Sequence, residues 1–309
     1  MPQTPPAHRR MKLGLIPSIS EGGMGNGKTV TFSELKDTAQ MAEELGFDSL
    51  WLDDHLIFRA PNEESGCWEC FTFLSGLAAV TSHVQLGPLV ACTSFRNPAL
   101  IAKMTASLDE ISQGRFILGL GAGWHEPEYL AYGYPFDHLA SRFEEALQII
   151  VPLLREGQVD FEGKYYQAKN CVLRPRGPSA GRIPLMIGSS KPRMLEITAR
   201  YADSWNRTAW RAKADRITGE YPKLLEACKT VGRDPASIEL SAGVEVHFLA
   251  EGKQSDPNDK GITGNAEQIA QELRAFADAG VQHLIVAVEP QGIDGLKQFA
   301  RVIELLDQG

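Results

Sequence analysis

Short apolar runs alternate with longer amphipathic stretches from one end of the chain to the other. The runs Lys12–Pro17, Ser49–Asp53, Val84–Ala91, Phe116–Leu120, Pro184–Ile187, Asp203–Arg207, Glu239–Val246 and His283–Val288 have the length and composition of buried strands. Between them, apolar residues recur at helical spacing. Phe32, Leu35, Ala39, Ala42 and Leu45 fall on one side of 32–45, and Ala266–Ala279 and Gly292–Leu306 read likewise. Helix boundaries are marked by Asn97-Pro98, by Gly46 and Gly280 after apolar periodic stretches, and by Thr263 ahead of Gly264-Asn265. Eight strand–helix units in one chain predict an α/β fold, a closed (β/α)8 TIM barrel with insertions. An open doubly wound sheet is the alternative and usually has fewer strands. Two segments break the alternation. Val159–Val172 reads as an antiparallel hairpin or extended excursion, and 250–264 as a polar, mobile surface loop.

The chain has 309 residues, enough for one large barrel or two ordinary domains. The alternation favours a loose tail over 1–10 and one barrel domain over 11–309. A net charge of −8 argues against a general nucleic-acid binder, whose footprint is basic. No signal peptide and no apolar stretch of spanning length is visible, so the reading is a soluble cytoplasmic protein without a membrane segment. The five cysteines are scattered and do not form a disulfide framework. Cys67-Trp68-Glu69-Cys70 has metal or redox spacing, but no second pair completes a tetrahedral site. No metal is expected, and these cysteines read as loop or helix-start residues.

In a parallel barrel the strand C-termini share one face, where chemistry sits. Asp53-Asp54-His55 ends the second strand. An imidazole there either contacts a cofactor or moves a proton near neutral pH, or the triplet is a polar cap. Gly119, Gly121 and Gly123 form GLGAG after the fourth strand. Trp124 occupies the place of the third glycine of a dinucleotide fingerprint, so the glycines read instead as a close backbone approach to a flat ring around Gly121, Ala122 and Gly123. Trp124 is a candidate cavity wall and Glu126 a candidate acid or base, with loop packing or a solvated charge as the alternative. Gly188-Ser189-Ser190-Lys191-Pro192 opens a helix with free N–H groups and hydroxyls suited to an anion, or else Ser190 simply caps the helix. Asn206 and Trp210 follow the sixth strand and are candidates for substrate contact or for packing. Gly22 to Thr29 matches the P-loop spacing literally after a strand, yet no metal-binding acidic strand accompanies it.

These strand ends resemble the bacterial-luciferase-like family of flavin- and deazaflavin-dependent oxidoreductases. The most specific stretch is RNPALIAKMTASLDEISQGRFILGLGAGW, and the resemblance runs over about 11–210. It implies a luciferase-like barrel with its cofactor at the C-terminal face, often as a homodimer. It places Asp54 and His55 beside the cofactor ring, with His55 in a catalytic role. It also places a non-proline cis peptide at Leu89–Val90, so that Leu89, Val90 and Ala91 form a bulge behind the ring. Gly188, Ser189 and Ser190 would hold the phosphate of the cofactor side chain. Some FMN members carry a basic residue where this chain has Ala122, which favours the deazaflavin F420 over FMN. Lys191 or Arg193 could substitute for that residue. The leading expectation is hydride transfer between F420 and a small organic substrate. One alternative is a reduced-FMN monooxygenase supplied by a separate flavin reductase. The other is a barrel that binds a small molecule without catalysis.

Overall fold

The computed structural model describes residues 9–23, 27–60, 63–208, 213–248 and 261–308. Within them eight parallel strands form the barrel: β1 (Lys12–Leu15), β2 (Ser49–Leu52), β3 (Gln85–Pro88), β4 (Leu118–Gly121), β5 (Leu185–Gly188), β6 (Ser204–Thr208), β7 (Glu239–Phe248) and β8 (His283–Glu289). Each corresponds to one of the predicted runs. β1 lies between β2 and β8, with Gly14 opposite Ser49 and Lys12 opposite His283, and β4 to β8 follow in order. Closure occurs within one strand. Residues 85–88 pair with β2, the chain passes through the cis peptide Leu89–Val90, and Ala91–Cys92 pairs with β4.

The outer layer comprises α1 (Phe32–Glu44), α2 (Cys70–Val80), α3 (Pro98–Ile111), α4 (Glu126–Tyr132), α5 (Leu139–Arg155), α6 (Pro192–Tyr201), α7 (Asp215–Val231), α8 (Ala266–Asp278) and α9 (Ile293–Asp307). Local sequence fixes where several begin. Thr31 with Glu34 and Asn265 with Gln268 form capping boxes, and Asn97 caps α3 with Pro98 in its first turn. The apolar faces seat these helices on the sheet. Ile269, Leu273 and Phe276 of α8 are fully buried, each worth about 1.5–3 kcal/mol of transfer free energy.

Period-two alternation divides each strand between two cores. Leu50 and Leu52 pack in the large cluster shared with the helices, whereas Trp51 joins Ile16, Leu89, Ile117, Met186 and Ile285 in a small inner cluster. Trp51 fills the barrel because Gly14 and Gly87 leave it room; a Cβ at either would come within 2.8 Å of its ring. Its Nε1 donates to Ser49 Oγ at 2.7 Å, which lies 2.7 Å from His283 Nε2. This plug closes the N-terminal half, leaving the C-terminal half open.

Several local features differ from or refine the expectations. The expected hairpin is present as Gln158–Glu162 paired with Gln167–Val172. A second hairpin, Ile57–Ala60 with Glu63–Gly66, stands over the end of β2. Ile262–Gly264, expected within a surface loop, is a strand beside the end of β7, and 249–260 lie outside the described residues. Arg9 and Arg10, at the end of the expected tail, are held in place: Arg9 pairs with Asp48 and Asp307, and Arg10 with Asp278. Cys70 starts α2, and Cys67 and Cys70 are both free thiols. No group of metal ligands occurs among the described residues, and no described helix is long and apolar enough to cross a membrane. The P-loop match falls partly on 24–26, outside the described residues. Lys28 and Thr29 precede α1, whose N-terminus is already closed by Thr31.

Candidate active site

The alternation that turns Ser49 and Trp51 inward continues to Asp53, which lines a cavity at the barrel mouth. Asp53 is half-buried and makes no hydrogen bond among the described residues. Burial pushes its carboxyl pKa up to about 6; His55 opposes that rise and Asp54 adds to it. Asp54 is buried, and its oxygens are already committed. They accept from Arg96 at 2.7 and 2.8 Å and from Cys92 N at 2.8 Å. Arg96 also donates to Glu69 at 2.5 Å and lies 4.7 Å from the centre of the Phe71 ring. Asp54 therefore ties the ends of β2 and β3 to the start of α2.

His55 Nδ1 lies 3.0 Å from Glu128 Oε1, and Glu128 Oε2 accepts from Leu56 N at 3.0 Å. Burial disfavours the imidazolium, but the Glu128 hydrogen bond and the charges of Glu128, Asp53 and Asp54 outweigh it and hold the His55 pKa above its ordinary value. Nε2 has no hydrogen-bond partner among the described residues, so the imidazole is oriented through one nitrogen and available through the other. The hairpin after β2 is anchored to the same helix. Arg59 N donates to His125 Nε2 at 2.9 Å, and Phe58 stacks on the His125 ring at 4.7 Å.

The floor of the cavity is Val90. Gly121 and Gly188 lie beneath its methyls, where a Cβ would come within 2.7 and 3.0 Å of Cγ2; at Gly119 a Cβ would meet Pro88 O at 2.1 Å. Gly123 has φ +79° and leaves the space filled by the Tyr129 hydroxyl. That hydroxyl donates to Ala122 O at 2.9 Å and lies 2.9 Å from Cys92 Sγ. The glycines thus make room for Val90 and Tyr129 rather than directly for a planar ring. Burial pushes the Cys92 thiol up to about 12, so it is a neutral packing group.

Across the floor, Ser189 Oγ lies 2.8 Å from Thr198 Oγ1, and Trp205 Nε1 donates to Ser189 O at 3.0 Å. The N-cap of α6 is Lys191, which supplies no side-chain cap, so Ser190 is not the capping residue and no N-cap side chain pairs with the first-turn N–H groups. Lys191 is exposed and has no ion-pair partner among the described residues. Asn206 Nδ2 donates to Ser241 Oγ at 3.0 Å and its Oδ1 accepts from Thr208 at 2.6 Å.

The cavity has a volume of about 570 Å³, within the roughly 300–1,000 Å³ common for small-molecule and cofactor sites. Of the candidates from the sequence, Asp54, His55, Leu89, Val90, Gly121, Ala122, Gly123, Trp124, Gly188, Ser189, Ser190 and Asn206 line it. Ala91 does not. It is fully buried opposite Leu120, because alternation sends Val90 and Cys92 inward and Ala91 outward. Glu126 does not either. As the first residue of α4 it is exposed, and two residues further round the helix Glu128 is the acid turned towards His55. Trp210 lies outside the described residues. Asp53 and Glu128 are cavity residues the motif-based assignment left without a role, and Lys191, named there only as a substitute for the missing basic residue, lines the cavity too; strand alternation was the signal for Asp53.

Fold and site together define an α/β-barrel enzyme working at the C-terminal mouth of its strands. The chain belongs to the luciferase-like monooxygenase family, whose profile matches residues 11–255. It is accordingly an oxidoreductase, and a non-catalytic binding barrel is set aside. Among its relatives, pyrimidine monooxygenase RutA of Agrobacterium fabrum is 30% identical over 86% of this chain and 77% of that protein. The F420-dependent glucose-6-phosphate dehydrogenase of Kineococcus radiotolerans is 32% identical over 70% of this chain and 64% of that protein. In fold, an F420-dependent secondary alcohol dehydrogenase, solved with an F420-acetone adduct, superposes with a TM-score of 0.80 at 20% identity, covering 96% of this chain and 99% of that one.

Proposed function

We propose that the protein transfers hydride between the deazaflavin coenzyme F420 and a small organic substrate. The observation that carries this reading is the His55–Glu128 pair on the wall above Val90. Moving hydride to or from an alcohol, amine or carbonyl carbon requires a proton to move at the neighbouring heteroatom, and an imidazole with one nitrogen held and one free suits that task. The residues present fit a phosphorylated planar cofactor. Val90 and Ala122 offer a flat apolar surface. Ser189, Ser190, Lys191 and the start of α6 offer donors and positive charge for a phosphate. When bound there, F420 would supply or accept the hydride. Glu128 would keep Nδ1 protonated, Asp54 would hold the strand ends in register, and Trp124 would restrict water at the mouth. We expect the active form to be a homodimer.

A second reading is favoured by the RutA relatives: a reduced-FMN monooxygenase fed by a separate flavin reductase. Ala122, where some FMN members carry a basic residue, weighs against it. The two readings separate in an anaerobic assay of F420 absorbance with a panel of small alcohols, amines and ketones. Bleaching or recovery of the oxidised cofactor without oxygen supports hydride transfer. Turnover only with reduced FMN, accompanied by oxygen uptake, rejects it in favour of the monooxygenase.

A further inference from the structure

The charged groups around the β2 end of the cavity are paired with one exception. Asp54 and Glu69 share Arg96. Glu128 holds His55. Cys67, nearby on the approach to α2, is a thiol whose pKa burial raises. Asp53 alone has no ion pair and no hydrogen bond among the described residues, since His55, the cation whose charge opposes its own, is held by Glu128; yet it lines the cavity and is half-buried. A carboxylate in that position carries a desolvation cost that a ligand can offset. A second observation points the same way. Trp124 is 64% exposed at the cavity mouth, with its ring 5.7 Å from that of His55, and Phe58 lies 6.2 Å from Trp124. An exposed aromatic face and a carboxylate without an ion pair lining one cavity form a setting that attracts a cation through the ring quadrupole as well as through charge. At the opposite end the unpaired group is the cation Lys191, so the cavity is electrically polarised along its length.

We propose that Asp53 is the specificity-determining residue of this site and that the substrate presents a protonated amine or other cationic nitrogen to it. The proposal rests on the cavity being the substrate site of the oxidoreductase argued above. It assigns the positive end of the ligand to Asp53 and Trp124, leaving Lys191 and the α6 start for the anionic cofactor tail.

Calorimetric titration of benzylamine and benzyl alcohol, two probes of matched shape, tests it. Both are titrated into wild type, Asp53→Asn and Asp53→Glu, with F420 bound and without cofactor, at about pH 7.5. Benzylamine should bind wild type at least about tenfold more tightly than the alcohol. The preference should fall to within about threefold in Asp53→Asn and be kept in Asp53→Glu. A thermal melt establishes that the variants are folded. An equal preference in wild type and Asp53→Asn overturns the proposal. So does an Asp53→Asn variant that weakens F420 or FMN as much as benzylamine, since Asp53 would then serve the cofactor. If neither cofactor binds, the hydride-transfer reading falls while the cofactor-free titrations still decide the role of Asp53.

Discussion

Replacing Glu128 by Gln separates the charge of this residue from its shape. Glu128 has a side chain 2% exposed and makes two contacts, one with His55 Nδ1 and one with Leu56 N, both at 3.0 Å. A glutamine keeps the volume but must orient its amide. If its oxygen accepts from Leu56 N, its NH2 faces Nδ1, which must then be an unprotonated acceptor. The proton moves to Nε2 and the imidazolium loses its main support. The His55 pKa should fall from its raised wild-type value, because burial remains while the Glu128 hydrogen bond and charge are gone, leaving only the charges of Asp53 and Asp54 to oppose it. A charge-assisted hydrogen bond of this kind contributes about 1.5–3 kcal/mol, and the variant should lose stability of that order. The sign with pH follows from the raised folded pKa. The contribution is fully present below the unfolded value of about 6.5 and is lost as pH climbs through the folded value. Wild type and variant should therefore differ most in stability at acid pH and converge towards alkaline pH. Loss of a positioned acid or base should lower kcat by about 100-fold or more. The assay is a pH–rate profile of kcat combined with an NMR titration of the His55 ring and thermal melts at several pH values. A His55 titration that stays where it is in wild type would refute the reasoning, whatever happened to kcat.

Other perturbations probe the remaining parts of the site. Asp53→Asn should stabilise the protein by about 1–2 kcal/mol above pH 6, an amount discounted because Asp53 borders an open cavity. The gain should vanish in melts below about pH 4, since the cost of a carboxyl with a raised folded pKa builds up between its unfolded value of about 4 and its folded value of about 6 and is constant above that. Arg96→Met should cost about 3–5 kcal/mol in denaturant unfolding, because Asp54 is left buried without its counter-ion; a loss of less than about 1 kcal/mol, the worth of an exposed pair, would contradict the pairing assigned to it. Gly121→Ala places a Cβ 2.7 Å from Val90 Cγ2 and should push Val90 into the cavity. Cofactor titration should then show at least about tenfold weaker binding, with a stability loss of about 1–3 kcal/mol from overpacking.

The barrel was legible because buried parallel strands are continuous apolar runs and their helices carry one apolar face. Both signals are strong in this chain, down to the capping residues Thr31, Asn97 and Asn265. The hairpin Ile57–Ala60 with Glu63–Gly66 was not legible, since EESG carries no apolar alternation and the pairing is set by its docking on α4. The site was legible as a set of strand ends but less so residue by residue. Choosing Glu128 over Glu126 requires knowing that α4 begins at Glu126, and helix starts are poorly fixed where no side chain caps them, as at His125. Asp53 was open to inference from Ser49 and Trp51 by simple alternation. Ala91 shows where such counting needs the fold, because pairing changes from β2 to β4 across Leu89–Val90.

The most direct test of the account is an equilibrium binding titration of the purified protein with F420 and with FMN, each oxidised and reduced, followed by cofactor absorbance and protein fluorescence. The account predicts that F420 binds more tightly than FMN in both redox states, and that Ser190→Asp, which puts a negative charge beside the start of α6, weakens F420. A preference for reduced FMN would contradict it and establish the monooxygenase reading in its place.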